Sequence, residues 1–373
     1  MGKRMLMAAT VPSMIGQFNM NNIYILLNLG YEIDIAADFT DTSVWPIERI
    51  QKFKADMKAL GINCIQLDFS RSPFKIHRHI RSYKETITLI KKRQYSFIHT
   101  HTPIASAIAR LAAHKTGIKV IYTAHGFHFY QGAPLKNWII FYSIEKWLSK
   151  YTDILITITQ EDYKNAITRL HAKKTIYVPG VGVDTKKFKP CKKRREKIRT
   201  ELGLSDTQIM ILSVGELNEN KNHEAVIRAI KGLNLVYVIV GNGKLYNHLQ
   251  KVAVECGVDL RLTGYRNDVA DFYNAADIYI LPSIREGLNV SIMEAMASGL
   301  PITCGKIRGN TDLVSSPLFN PTHLNEIKTA IKKAIRCRTN LGQRNLEVIK
   351  RFDSHVVEAL MKSIYKEKIN IGE

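Results

Sequence analysis

Twice along the chain, short apolar runs rich in β-branched residues alternate with longer amphipathic stretches. This alternation limits the possible folds more than any other feature. Residues 5–9, 33–36, 62–67, 97–101, 120–123, 154–157 and 175–178 read as strands of a first series, and 209–214, 236–240, 260–263, 278–281 and 302–304 as a second. Helical periodicity fills the gaps. Strand–helix alternation favours parallel sheets covered on both faces, with sites at the C-terminal strand ends. The 373 residues exceed one ordinary core. The expected class is therefore α/β with two doubly wound, Rossmann-like domains. The turn-rich segment Val178-Pro179-Gly180-Val181-Gly182-Val183-Asp184 marks a boundary. It gives a first domain at 1–184 and a second at 185–352, followed by a terminal helix at 353–373.

The formal charge is +21, and its distribution matters more than its size. Lys and Arg number 24 against 13 Asp and Glu in residues 1–184, nine against one in 185–199, and 21 against 19 beyond. The second domain is nearly neutral, so an anionic partner is expected on the first: a membrane surface, an acidic substrate or a nucleic acid. The basic run 186–199 reads as a solvated linker and first helical turn. In residues 71–93, Ile76, Ile80, Tyr83, Ile87 and Ile90 form an apolar stripe that reads as core, opposite a positive face suited to anionic headgroups. Segment 135–148 mixes aromatics and lysines and fits a buried or an interfacial helix equally well. No apolar stretch reaches the roughly 20 residues that span a bilayer, and the N-terminal apolar run is too short for a secretory signal. Five scattered cysteines indicate neither a disulfide framework nor a zinc site, so a reducing cytoplasm is expected.

The densest chemical signal is Arg285-Glu286-Gly287-Leu288-Asn289-Val290-Ser291-Ile292-Met293-Glu294, directly after the run at 278–281. A helix starting near Asn289 aims free amides beyond the strand end, which suits a phosphate. Glu286 before the helix and Glu294 just over a turn into it would meet hydroxyls on either side. Two polyols flanking a diphosphate, as in a sugar nucleotide, fit that spacing, although a bare glutamate pair is also compatible with solvated charges. Lys221, after the run at 209–214, could sit over a diphosphate or be a solvated loop lysine. Gly241 and Gly243 would permit close backbone approach to a ligand, or form a structural turn. His125, followed by Gly126 at a strand end, could donate a hydrogen bond to a sugar or phosphate, or simply cap the strand.

The 285–301 segment resembles the signature of the retaining glycosyltransferases of family four, and the resemblance extends over nearly the whole chain. It implies a GT-B fold: two Rossmann-like domains facing a cleft, with the C-terminal helix crossing back to the first. It implies a nucleotide-sugar site, most simply for a UDP-sugar, at Gly16, Gly215, Lys221, Gly241, Gly243, Tyr265, Arg266, Glu286, Gly287, Leu288, Asn289 and Glu294. His125, Glu286 and Lys221 would be catalytic, and His101 and His128 would lie toward the acceptor. Relatives commonly carry an arginine directly after Gly215, where this chain has Glu216; Arg308 is a candidate substitute. They also place a glycine pair after the first strand, where only Gly16 remains. Similarity to exopolysaccharide and capsule-assembly members, through 124–130 and 132–138, implies a polyprenyl-diphosphate-linked sugar as acceptor. The expected activity is metal-independent, retaining hexosyl transfer without a cofactor, by a cytoplasmic enzyme peripheral on the inner face of the cell membrane. The alternatives are a UDP-sugar 2-epimerase of the same fold and a basic nucleic-acid-binding protein; no nucleic-acid-binding motif appears.

Overall fold

The computed structural model describes residues 3–370. It divides into an N-terminal unit, Met1–Val181 with Val357–Glu373, and a C-terminal unit, Gly182–Val356. The N-terminal unit is built on β1 (Lys3–Ala8), β2 (Tyr31–Ala37), β3 (Asn63–Gln66), β4 (Phe97–Thr100), β5 (Lys119–Ala124), β6 (Ile154–Thr157) and β7 (Lys174–Tyr177). These form one parallel sheet in the order β3-β2-β1-β4-β5-β6-β7. The C-terminal unit has β8 (Met210–Val214), β9 (Val236–Val240), β10 (Asp259–Leu262), β11 (Ile278–Leu281), β12 (Ile302–Gly305) and β13 (Leu318–Phe319). Their order is β10-β9-β8-β11-β12-β13, again parallel. Buried parallel strands read as unbroken apolar runs because both faces are covered, and β9 and β11 are buried along their whole length. The two-residue β13 is too short for a periodic signal.

Each sheet reverses its winding once, between β1 and β4 and between β8 and β11. Such switch points leave a crevice outside the strand C-termini, where ligands of open α/β sheets bind. Val357, Met361, Ile364 and Tyr365 of the last helix, Ser354–Asn370, are buried in the N-terminal core beside β1, β2 and β4 residues.

Two expectations need correction. The basic run 186–199 is a solvated linker only in its first part, and its expected helical turn continues into a full helix. Residues Lys192–Glu201 form a helix belonging to the C-terminal unit. On it Arg195 and Arg199 both reach Asp277, at 2.8 and 3.3 Å, and Lys197 reaches Asp271 at 2.8 Å. Three of the run's nine basic residues are thereby paired with two acids of their own unit. The stripe in the helix Ile76–Arg93 is core only toward its C-terminal end. Ile90 is buried and Tyr83 and Ile87 pack below it, but Ile76 and Ile80 are 64% and 51% exposed.

Candidate active site

In the C-terminal unit the segments after β8 and β11 are fastened together at the switch point. The Ile284 amide donates to the Asn220 carbonyl at 2.9 Å, and the Asn220 side chain donates to the Arg285 carbonyl at 2.9 Å. Asn222, in the left-handed region at φ 54°, donates to the Pro282 and Pro321 carbonyls. Between these ties Lys221 Nζ lies 2.7 Å from Glu286 Oε1, with both side chains largely buried. Arg308 Nη2 stands 3.5 Å from the Glu286 carbonyl oxygen, bringing a second cation to the loop. It gets there because Gly309, at φ 78°, lets the chain pass so close to Gly287 that any Cβ would collide with the Gly287 carbonyl. Glu216 is exposed.

The helix after Glu286 is Val290–Ala297, capped by Asn289, whose side chain accepts from the Ile292 amide at 3.2 Å. Its small residues Ala295 and Ala297 are buried, so it lies close to the sheet. Glu294 is half-buried and accepts a 2.8 Å hydrogen bond from the Tyr273 hydroxyl. Burial raises its pKa, and that hydrogen bond opposes the rise. Tyr279 and Ser291 share a 2.5 Å hydrogen bond, and Ser291 donates to Asn289 Oδ1 at 2.6 Å. This tyrosine–serine–asparagine chain holds the cap residue that opens the helix.

The other expected donor residues are less uniform. Gly241 and Gly243 approach the chain's own backbone: a Cβ on either would strike the carbonyl of Gly215 or Leu217. They shape the turn that supports Gly215. Tyr265 is 70% exposed. Arg266 is engaged by Glu201 at 2.8 and 3.1 Å and by Asp268 at 2.8 Å, and its guanidinium stacks over Phe272. Leu288 is buried.

In the N-terminal unit, β4 and β5 bring three histidines together. His99 is wholly buried, bonded at 2.8 Å to Tyr365 Oη through Nδ1 and at 2.8 Å to Thr123 Oγ1 through Nε2. His101 is also buried and its ring packs against His99 at a 45° tilt with centroids 4.1 Å apart; its Nδ1 lies 3.4 Å from His125 Nε2. Burial lowers the pKa of all three, to about 3 for His99, well below normal for His101, and to about 4 for His125. At neutral pH they are uncharged, able to donate or accept hydrogen bonds but not to serve as cations. Thr10, after β1, bonds Thr102, after β4, through both its amide and its hydroxyl, closing the seam beside them. His128 is exposed and stacks on Phe141. Gly16 lies in the helix Pro12–Phe18, where a Cβ would strike the Trp45 ring. Among the described residues, no group of three or more His, Cys, Asp or Glu side chains is placed to hold a metal ion.

Comparison with known proteins settles the family. The model described as Glycosyltransferase Family 4 matches residues 26–187, and that described as Glycosyl transferases group 1 matches 194–345. Putative glycosyltransferase EpsD of Bacillus subtilis is 32% identical over 328 residues, 84% of this chain and 81% of the relative. The chain belongs to glycosyltransferase family 4. A second relative of this transferase is the Escherichia coli UDP-Gal:alpha-D-GlcNAc-diphosphoundecaprenol alpha-1,3-galactosyltransferase, 31% identical over 69% of this chain and 70% of that protein. Among solved structures, Anabaena Alr3699/HepE in complex with UDP aligns with TM-score 0.78 at 16% identity, covering 98% of this chain and 100% of that one. That likeness establishes the fold as GT-B. Sequence reading missed the transferase's Tyr273, Tyr279 and Asn222. The tyrosines look like ordinary apolar positions until their hydroxyls find partners, whereas a left-handed asparagine in a loop leaves at least a compositional hint.

Proposed function

We propose that this glycosyltransferase moves a hexose from a UDP-sugar to a polyprenyl-diphosphate-linked sugar with retention of anomeric configuration. The observation that carries the reading is the Lys221–Glu286 pair at the β8/β11 switch point, one short turn before an asparagine-capped helix. Cation, carboxylate and helix amides supply the three things a nucleotide sugar needs: charge for the diphosphate, an acceptor for sugar hydroxyls, and a positive helix end. In this reading Lys221 and the amides near Leu288 and Asn289 stabilise the leaving diphosphate, Glu286 orients the donor sugar and Glu294 binds the ribose. Arg308 supplies the second positive charge, in place of an arginine where Glu216 stands. Gly215 and Gly287 let the backbone run close to the nucleotide, while Gly241, Gly243 and Gly16 hold the loops around it; Tyr265 and Arg266 lie toward the base. Neutral His125 is the hydrogen-bonding group at the reacting centre, with His101 and His128 on the acceptor side. No step is assigned to a metal ion.

The polyprenyl acceptor and a role in exopolysaccharide or capsule assembly are supported by the relatives named above. The basic N-terminal unit supports attachment to anionic lipid at the inner face of the membrane; among the described residues no helix is long and apolar enough to cross one. The test is thermal stabilisation by UDP, followed by product analysis with UDP-sugars and a synthetic polyprenyl-diphosphate sugar. Stabilisation by UDP and an α-linked product from an α-linked donor are expected. Interconversion of the UDP-sugar without acceptor would instead support an epimerase.

A further inference from the structure

Several exposed apolar side chains fall on one segment. In the region Leu135–Ser149, Leu135 is 74% exposed, Ile139 62% and Trp147 48%, with Ile140 and Ile144 about half exposed. In a uniform α-helix, at about 100° per residue, these five positions would spread around roughly half the circumference. Residues Trp138–Tyr142 instead form a π turn. Its wider winding turns Ile144 and Trp147 back toward the face of Leu135 and Ile139, gathering the five into a stripe. The opposite side is anchored: Glu145 makes a bidentate pair with buried Arg110 at 2.6 and 3.1 Å, and Trp138 and Tyr142 pack on Phe129.

A second patch, Phe74 (89% exposed), Ile76 and Ile80, begins the helix Ile76–Arg93. This helix packs on Pro103–Thr116, which in turn contacts Ser143–Ser149, so the three form one layer on the sheet. The helix Ile76–Arg93 follows β3 and Leu135–Ser149 follows β5, so both patches start from the C-terminal edge of a parallel sheet. His101 and His125 sit at that same edge. Charges around the patches are one-sided. Lys136, Lys146 and Lys150 are exposed while Glu145, the sole acid in 128–150, is bound to Arg110; near the other patch Lys75 and Lys84 are exposed and Glu85 pairs with Arg81. Two copies meeting through these faces would bring like charges together, whereas an anionic bilayer complements them.

We propose that the π-turned helix Leu135–Ser149, with Phe74, Ile76 and Ile80, inserts its apolar side chains into the headgroup–acyl boundary of an anionic bilayer. The C-terminal sheet edge is then held against the lipid surface, where a membrane-borne diphosphate sugar emerges beside His101 and His125. This deepens the transferase reading and rests on it for the acceptor, but the insertion is testable alone. The full chain and an Ile139→Ser/Ile140→Ser/Ile144→Ser variant are compared by co-sedimentation with phosphatidylglycerol–phosphatidylcholine vesicles at low and high salt. Tryptophan fluorescence, in which Trp147 is the exposed source beside buried Trp45 and half-buried Trp138, is read in parallel with brominated acyl chains and against a Trp147→Phe control. Light scattering reports mass without lipid, and UDP-induced thermal shift reports the C-terminal unit. The expected result is quenching of Trp147, residual parent binding at high salt, and at least a roughly tenfold weaker partition of the variant with its UDP shift intact. Equal binding by parent and variant, loss of all parent binding in high salt, or a dimer that the variant dissociates would each overturn the insertion. A missing UDP shift in the parent would instead count against the transferase reading and leave insertion standing.

Discussion

Lys221 and Glu286 neutralise one another at 2.7 Å, so a diphosphate at this point would draw Lys221 into a shared, charge-assisted contact. Such a bond contributes about 1.5–3 kcal/mol, roughly one to two powers of ten in affinity. Lys221→Ala is therefore expected to weaken UDP binding by about tenfold to a hundredfold; calorimetric titration showing unchanged affinity would remove Lys221 from the diphosphate. Arg308→Ala should cost a similar amount, and Glu216→Arg in that background should recover part of the loss, because the position after Gly215 borders the same crevice. A Glu216→Arg change without effect would argue against a charge role for both. The three histidines make a separate prediction. Their folded pKa values lie below the unfolded value of about 6.5, so between pH 6.5 and about 4 the unfolded chain takes up protons that the folded chain refuses. Stability is then complete above pH 6.5 and falls on acidification, by roughly 1.4 kcal/mol per pH unit for each histidine. Replacing His101 with Asn should flatten the melting temperature's fall over this range by about one proton's worth; an identical slope would show that His101 titrates normally.

At the scale of elements, stability and placement depend on contacts between helices. The Arg110–Glu145 pair ties Ser143–Ser149 to Pro103–Thr116, and Arg110 also lies over Tyr122, its centroid 4.4 Å away. Removing one partner strands a buried charge, so Glu145→Ala is expected to destabilise the chain by about 3–5 kcal/mol, measured by urea unfolding. Replacing both residues by apolar ones should cost much less, which separates the unpaired charge from lost packing. The strands were legible in the sequence because burial on both faces writes them as apolar runs, and the 285–301 segment because a capping asparagine follows a strand end. The outer half of the Ile76–Arg93 stripe was not legible: helical spacing records which residues share a face, not what covers it. Nor was the fate of the basic run, since Asp271 and Asp277 lie some seventy to eighty residues beyond the arginines and lysines they meet. The π turn left no periodic trace because it breaks the period by which helices are read.

For the whole molecule, the N-terminal unit is discontinuous in sequence and closes only with the last helix. Val357, Met361, Ile364 and Tyr365 are each 5% exposed or less, and Tyr365 Oη holds His99 Nδ1 at 2.8 Å. Fully burying a large apolar side chain contributes about 1.5–3 kcal/mol, so four of them approach the 5–15 kcal/mol that an ordinary domain has in total. Removing the last helix would also open His99 to water, raise its low pKa, and take away the Tyr365 ring that stacks on Phe97 6.1 Å away. A chain ending at Asp353 should therefore lose cooperative unfolding of the N-terminal unit while the C-terminal unit, whose residues are nearly all retained, still melts cooperatively and still responds to UDP. Differential scanning calorimetry with and without UDP reads both outcomes. If the truncated chain kept two transitions at unchanged temperatures, the terminal helix would be an accessory rather than part of the fold. If both were lost together, the two units would be coupled more strongly than their separate cores require.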